Sequence, residues 1–296
     1  MKIYIISPWF KTGGTESLHQ LCQIARDRGY QSYMFYIDAP NDTDVLFSED
    51  YPSIERVSMM EDKTGNVLVY PEIYSPTMFN IYFIQQIMWW LSYDKGLHNL
   101  EILDKYPNLK HAFQSQYAKY FVTSTGKLTN KQVFDLTDYV KIERYYVVPE
   151  RKQNIILYNP TKDVVTPQFC TLANFQHVGL KDLTRDELSK ILSCCKVYID
   201  FGSHPGRDKI PREAALCGCI VITNKTGSAG NNMDVNIDDK FKYTNDLDNL
   251  PNLINEIFTN YEEISNEQSD YKQKIYQDKV NMILSFVNLM NNIFII

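Results

Sequence analysis

Residues 196–230 read Lys-Val-Tyr-Ile-Asp-Phe-Gly-Ser-His-Pro-Gly-Arg-Asp-Lys-Ile-Pro-Arg-Glu-Ala-Ala-Leu-Cys-Gly-Cys-Ile-Val-Ile-Thr-Asn-Lys-Thr-Gly-Ser-Ala-Gly. The β-branched and aromatic run 197–201 predicts a buried strand. Residues 202–208, with two glycines and a proline, predict a turn. Asp208 stands where it can cap a helix, and the first turn of that helix tolerates Pro211, whose missing N–H costs nothing there. Ala214, Ala215 and Leu216 form the helix body, and Gly218 supplies the left-handed residue that ends it. Residues 219–223 predict a second buried strand, and 226–230 a second backbone-exposing loop.

Arg207, Lys209, Arg212 and Lys225 crowd this junction in a chain whose net charge is −6. Helix N–H groups and the positive end of a helix dipole fall at the same place, an arrangement that favours phosphates. Glu213 sits in the first helical turns, where a carboxylate can accept two hydroxyl hydrogen bonds, such as those of a ribose. A solvated basic loop beside a capping Glu is the plainer alternative. Two glycine loops after two adjacent strands tip the balance, because open parallel sheets bind ligands at the carboxyl ends of their strands.

The segment resembles the donor-nucleotide half of GT-B glycosyltransferases, especially the large retaining family. Those enzymes carry an E-x7-E element ending in Glu-Ala, then a Gly and an apolar strand. Here Glu213-Ala214-Ala215-Leu216-Cys217-Gly218-Cys219-Ile220-Val221 matches the second half. The first Glu is absent: its place falls on Pro205, beside His204. Bacterial glycosyltransferase-like proteins with His-Pro-Gly-(Arg/Lys)-Asp followed by Pro-Arg-Glu-Ala-Ala are similar over most of the chain.

The resemblance implies an α/β fold of two Rossmann-like domains facing a cleft (GT-B), with the last helix packing back on the first domain. It implies an acceptor-side domain over 1–148 and a nucleotide-sugar-binding domain over 149–296. Arg207 and Lys209 would face the donor diphosphate, His204 would lie near the sugar, and these three are the expected catalytic groups. Glu213, Lys162, Asn159, Gly227, Ser228 and Ala229 are the expected donor-binding residues. The implied activity is transfer of a sugar from a nucleotide-sugar to a glycan or lipid-linked acceptor in bacterial surface polysaccharide synthesis. No cofactor and no metal are expected, the nucleotide-sugar being a substrate. A non-catalytic relative that binds nucleotide or glycan as a scaffold is the second reading, supported by the missing Glu.

The chain opens in the same style. Residues 3–6 predict a strand, Gly13-Gly14 a loop, Thr15 a cap for a helix over 16–28, and 31–37 a strand ending at Asp38. A dinucleotide fold holds its ribose with an acid at this distance, but Gly-Gly-Thr-Glu is not G-x-G-x-x-G, so a dehydrogenase is the weaker reading. In the resembled family Gly13, Gly14, Thr15 and Glu16 would face the cleft from the acceptor side. Glu72, after the strand 66–70, stands where an acceptor-side carboxylate could work. Residues 81–90 predict core with an aromatic edge, 111–114 a strand, and 115 onward a helix.

The domain change is expected within 141–153. Residues 154–158 predict a strand, 169–173 another, and Thr184 with Glu187 a capping box. The chain is helical from 247 on. Ile283, Val287, Met290 and Phe294 form an apolar stripe, and the opposite face lacks the Lys/Arg-rich character of an interfacial membrane helix.

Of the 296 residues, 44% are hydrophobic and 22% charged, which describes an ordinary globular protein large enough for two domains. The acidic balance argues against nucleic acid as a partner. Six scattered cysteines suggest structural thiols in a reducing compartment, and no two histidines have H-x-x-x-H spacing. No signal peptide is visible and no run of 18 apolar residues occurs, so a cytoplasmic protein is expected, with room for peripheral association at the inner face of the membrane.

Overall fold

The computed structural model describes residues 1–40, 44–145 and 152–293. The chain divides into two compact units, Met1–Tyr139 with Lys279–Ile296, and Val140–Asp278. The expected border at 148/149 lies outside the described residues.

The first unit is built on a seven-stranded parallel sheet. Its strands are β1 (Lys2–Pro8), β2 (Gln31–Ile37), β3 (Glu55–Arg56), β4 (Val67–Pro71), β5 (Gln85–Trp90), β6 (Lys110–Phe113) and β7 (Val133–Asp135). They lie in the order β3-β2-β1-β4-β5-β6-β7. Helix α1 (Gly13–Asp27) crosses from β1 to β2, and α2 (Gln116–Thr123) follows β6 behind an Ser115 cap. Strands such as Val67–Pro71 are buried at every residue because helices and loops cover both faces of the sheet. Two apolar layers result, one around Ile3, Ile5, Leu18 and Trp89, the other around Tyr4, Leu68, Tyr70 and Trp90.

The second unit holds a five-stranded parallel sheet of β8 (Gln153–Tyr158), β9 (His177–Gly179), β10 (Cys195–Asp200), β11 (Ile220–Asn224) and β12 (Lys242–Tyr243). The order is β12-β11-β10-β8-β9. Its helices are α3 (Val165–Leu172), α4 (Arg185–Cys194), α5 (Lys209–Leu216), α6 (Leu250–Thr259) and α7 (Tyr261–Glu267). The final helix, α8 (Ser269–Asn292), begins in this unit and ends in the first.

Three expectations need correction. Residues 169–173 are not a strand but lie at the end of α3. Asp163 nucleates that helix by accepting from the Val165 and Thr166 amides at 3.0 and 2.9 Å and from the Thr166 hydroxyl at 2.6 Å. Helix α1 starts earlier than expected: Thr12 is the cap, Thr15 is the third helical residue of a capping box, and Gly13 and Gly14 form the first turn. On α8 the buried stripe is Met282, Phe286, Leu289 and Ile293; of the expected residues Met290 is buried with it and Ile283 packs against it, while Val287 is only half-buried. Both sets have four-three spacing and both are apolar, so periodicity could not choose between them; Phe294 lies outside the described residues.

Tyr271 and Ile275 of α8 belong to the core of the second unit, whereas Met282, Phe286, Leu289 and Ile293 belong to that of the first. Each of these side chains contributes about 1.5–3 kcal/mol by leaving water. Five of the six cysteines are buried and all six are free thiols. Burial pushes the Cys22, Cys170 and Cys219 thiols up to about 12, as suits packing groups.

Candidate functional site

A parallel sheet offers a ligand crevice where successive connections leave in opposite directions. In the second sheet β8 leads to β9 on one side, and the chain then returns to place β10 on the other. The crevice therefore opens past Tyr158 and Asp200, and the loops at 159–163 and 201–208 enter it.

Four side chains meet there. The Lys162 ammonium lies 2.7 Å from Asp208 and 3.0 Å from Asp200, and also donates to the Ser203 carbonyl at 3.2 Å. His204 Nδ1 is 2.7 Å from Asp208 Oδ2, and its Nε2 is 3.2 Å from the Asp200 carbonyl. Burial lifts the Asp200 carboxyl above the usual range even though His204 and Lys162 oppose the shift. Burial works on Asp208 in the same sense, but the hydrogen bond from His204 and the Lys162 charge prevail and hold it below its ordinary value. Lys162 itself is raised: desolvation would lower it, and the two carboxylates outweigh that.

Asp200, His204 and Asp208 each offer an atom within 4.8 Å of the others, a donor set of the kind that can hold a cation. The Lys162 ammonium already rests against both carboxylates and supplies the countercharge from within the chain.

The third loop, after β11, is pulled onto the second. The Ser228 amide donates to the His204 carbonyl at 2.8 Å, its hydroxyl to the Gly206 carbonyl at 2.5 Å, and the Asn224 amide to the Gly202 carbonyl at 2.6 Å. Gly227 has φ +56, and a Cβ there would stand 2.0 Å from the His204 carbonyl oxygen, so only glycine fits. Ala229 is buried behind it. Asn159 folds its own loop by accepting from the Thr161 amide at 3.1 Å. Asp163 joins this loop to β10 through the Phe201 amide at 2.9 Å.

Several expectations for individual residues change. Asp208 occupies the cap position of α5, but its carboxylate makes no capping hydrogen bond; His204 and Lys162 hold it instead. Arg207 turns to Asp278 on α8, with Nη2 at 3.0 Å from both oxygens. Arg212 joins the same carboxylate at 3.1 Å. Lys162, expected to bind the donor, is the centre of the cluster and rests against Asp200 and Asp208. Lys209 opens α5 and is half-buried, and Glu213 is buried one turn further on. Between these groups, a space of about 10 Å³ lined by His204, Arg207, Thr223, Ser228 and Asp234 is large enough for one water. Thr223 Oγ1, buried and without a hydrogen-bond partner, is among its walls.

In the first sheet the reversal falls between β1 and β4. The start of α1 follows β1 there, and Glu72 follows β4. Gly13 is exposed, Gly14 packs near Leu91, and Glu16 is buried, with the Tyr51 hydroxyl at 3.4 Å. Thr15 is buried by its capping bonds to Thr12. Glu72 is neither a cap nor an open carboxylate. It is 2% exposed and accepts from the Leu91 amide at 2.8 Å, while Gly96 packs on its Cγ. Burial pushes it up to about 7, against the Leu91 hydrogen bond and the Lys95 charge.

The sequence matches no protein-family profile, and no curated protein aligns with it. Solved structures do. Sucrose-phosphate synthase from Thermosynechococcus elongatus superposes with a TM-score of 0.72 at 13% identity, covering 99% of both chains. A glycosyltransferase from Rickettsia africae gives 0.69 at 12% identity, over 99% of this chain and 98% of that one. Anabaena HepE in complex with UDP-glucose gives 0.69 at 13% identity, over 98% and 99%.

The chain has the GT-B fold. Within this GT-B chain the residues picked out from sequence fall at the reversal points of the two sheets, each within its own unit. As parts of the site Asp200, Asp208, Asp163 and Asp278 escaped sequence reasoning, Asp208 being expected only as a helix cap. The first two carried a signal, the D-x3-H-x3-D spacing around His204, which a search for paired histidines passes over. Asp278 carried none, since nothing in a helix of mixed polarity marks one Asp as the partner of two distant arginines.

Proposed function

We propose that this protein is a glycosyltransferase that moves a sugar from a nucleotide-sugar donor to a glycan or lipid-linked acceptor. The observation that carries the reading is the convergence of three loops and the start of α5 at the reversal point of the second sheet. Lys162, His204 and the Ser228 loop come from different segments to that crevice, and Lys209 opens the helix that follows His204. The Asp208 side chain makes no capping bond to α5, and amides at a helix start suit phosphate oxygens. Similar GT-B structures hold UDP-glucose or UDP, which fits a donor of that chemical class.

In this reading, Lys209 and the α5 amides neutralise charge developing on the departing diphosphate, the kind of electrostatic stabilisation that dominates such transfers. Glu213 holds the ribose, and Asn159, Gly227 and Ala229 shape the loops around the donor. His204, oriented by Asp208, presents an imidazole near the sugar. Lys162 supplies positive charge without a metal ion, and transfer proceeds with retention. Arg207 takes part by sharing its guanidinium between Asp278 and the donor. Gly13 to Glu16 line the acceptor side, and the acceptor belongs to surface polysaccharide synthesis.

One observation favours the scaffold reading: Arg207 and Lys162 are already neutralised by carboxylates of the chain itself. Thermal unfolding with UDP, GDP, ADP, TDP and CMP, with and without magnesium, separates the two. A bound nucleotide at about 100 times its Kd stabilises by about 2.7 kcal/mol. A shift with one nucleotide, indifferent to magnesium and reduced in Lys209→Ala, together with nucleotide release from its sugar conjugate, supports transfer. A shift without turnover points to the scaffold, and no shift with any nucleotide overturns the transfer reading and leaves a glycan-binding scaffold.

A further inference from the structure

The amino ends of β4 to β7, opposite the end where Glu72 lies, border a groove of about 930 Å³. That size is typical of a ligand site. Its described lining contains Lys105, Lys110 and Lys131 and not a single Asp or Glu, in a chain whose net charge is −6. Lys110 is buried in the wall, where its ammonium donates to the Lys131 carbonyl at 3.1 Å, and burial and the Lys131 charge both push it below the ordinary lysine value.

Two aromatic rings stand at its edge. Tyr82 is 78% and Phe83 66% exposed. Their loop is fixed: the Asp62 carboxylate accepts from the Tyr82, Phe83 and Ile84 amides at 2.7, 2.8 and 2.9 Å. A loop pinned by three hydrogen bonds while presenting two large rings to water keeps those rings ready for a partner. Amide side chains of Asn80, Gln86 and Asn108 lie in the same lining and offer both donors and acceptors.

We propose that this groove binds an anionic oligosaccharide, whose rings stack on Tyr82 and Phe83 and whose acidic groups meet Lys105 and Lys131. The concave shape and the amides favour a sugar chain over a lipid surface, which would need a convex or flat face. The proposal holds whether or not the protein transfers sugar.

Binding would be measured by calorimetry on the full chain with three hexasaccharides: oligogalacturonate, chondroitin sulfate and neutral maltohexaose. At least one charged member should bind, with an affinity that falls as salt rises, and maltohexaose should not compete. The double variant Tyr82→Ala/Phe83→Ala should weaken binding by about tenfold or more, and Lys131→Gln severalfold, with thermal unfolding unchanged. Failure of both charged hexasaccharides to bind overturns the proposal, as does binding unaltered in the double variant. So does a third outcome, in which the double variant loses only its binding to phosphatidylcholine–phosphatidylglycerol vesicles and the groove face is a membrane contact.

Discussion

Arg207 and Asp278 stand 71 positions apart in the chain and form an ion pair in which Nη2 reaches both carboxylate oxygens at 3.0 Å. Arg212 completes the group from α5, and its side chain and that of Asp278 are only 2% and 5% exposed. The carboxylate thus answers two guanidiniums that have left water. Asp278→Ala should cost about 3–5 kcal/mol, because it removes the carboxylate that two buried guanidiniums share. Urea unfolding measures this. If the donor diphosphate reaches Arg207, UDP should stabilise Asp278→Ala more than the wild type.

The Gly227 backbone tolerates no side chain. Gly227→Ala combines a left-handed φ with an approach of 2.0 Å to the His204 carbonyl oxygen. The loop must shift, at a cost above about 1 kcal/mol. Reduced stability together with loss of any nucleotide-induced shift is the expected result. A variant as stable as the wild type would show that the loop relaxes freely.

Lys162 makes the cluster dependent on pH in a definite direction. In Lys162→Met, Asp200 loses a countercharge and its carboxyl, already raised by burial, rises further. The variant should be destabilised most near neutral pH, where Asp200 must ionise without that partner. The difference should shrink as the pH falls and the carboxyl is protonated. A difference of equal size at pH 4 and pH 7 would argue that Lys162 acts through packing alone.

Glu72 predicts a second pH dependence. Its folded value, about 7, lies above the ordinary glutamate value of 4.5. The folded state therefore holds the proton more tightly. The stability this confers is full below the unfolded value and is lost as the pH rises through the folded one, up to about 3 kcal/mol in all. Glu72→Gln should abolish this slope, so that the variant gains on the wild type between pH 5 and pH 8. Parallel stability curves would contradict the raised value.

Much of the fold was legible because parallel strands buried on both faces read as nearly unbroken apolar runs, as at residues 197–200 and 220–223. Punctuation was legible too: Gly218 ends α5 with φ +82, and Thr184 and Glu187 form their capping box. Residues 169–173 fit a strand as well as the end of α3, and on α8 two phases of one helical period fit the same residues, so tertiary packing made the choice. In the site, sequence marked the loops better than the partners. His204 and Lys162 could be picked from their place after strands. That Arg207 would turn away to Asp278 depends on α8, which sequence cannot bring alongside.

The first unit borrows part of its core from the far end of the chain: Met282, Phe286, Leu289 and Ile293 pack with Ile3, Leu18 and Trp89. The second unit, 140–278, is one unbroken segment. Synthesis order and folding order therefore differ. The half made first emerges with an unfilled apolar face and must wait for residues made some 140 positions later, while the half made second can fold as soon as it is out. During that interval the early half is the one in need of chaperone protection.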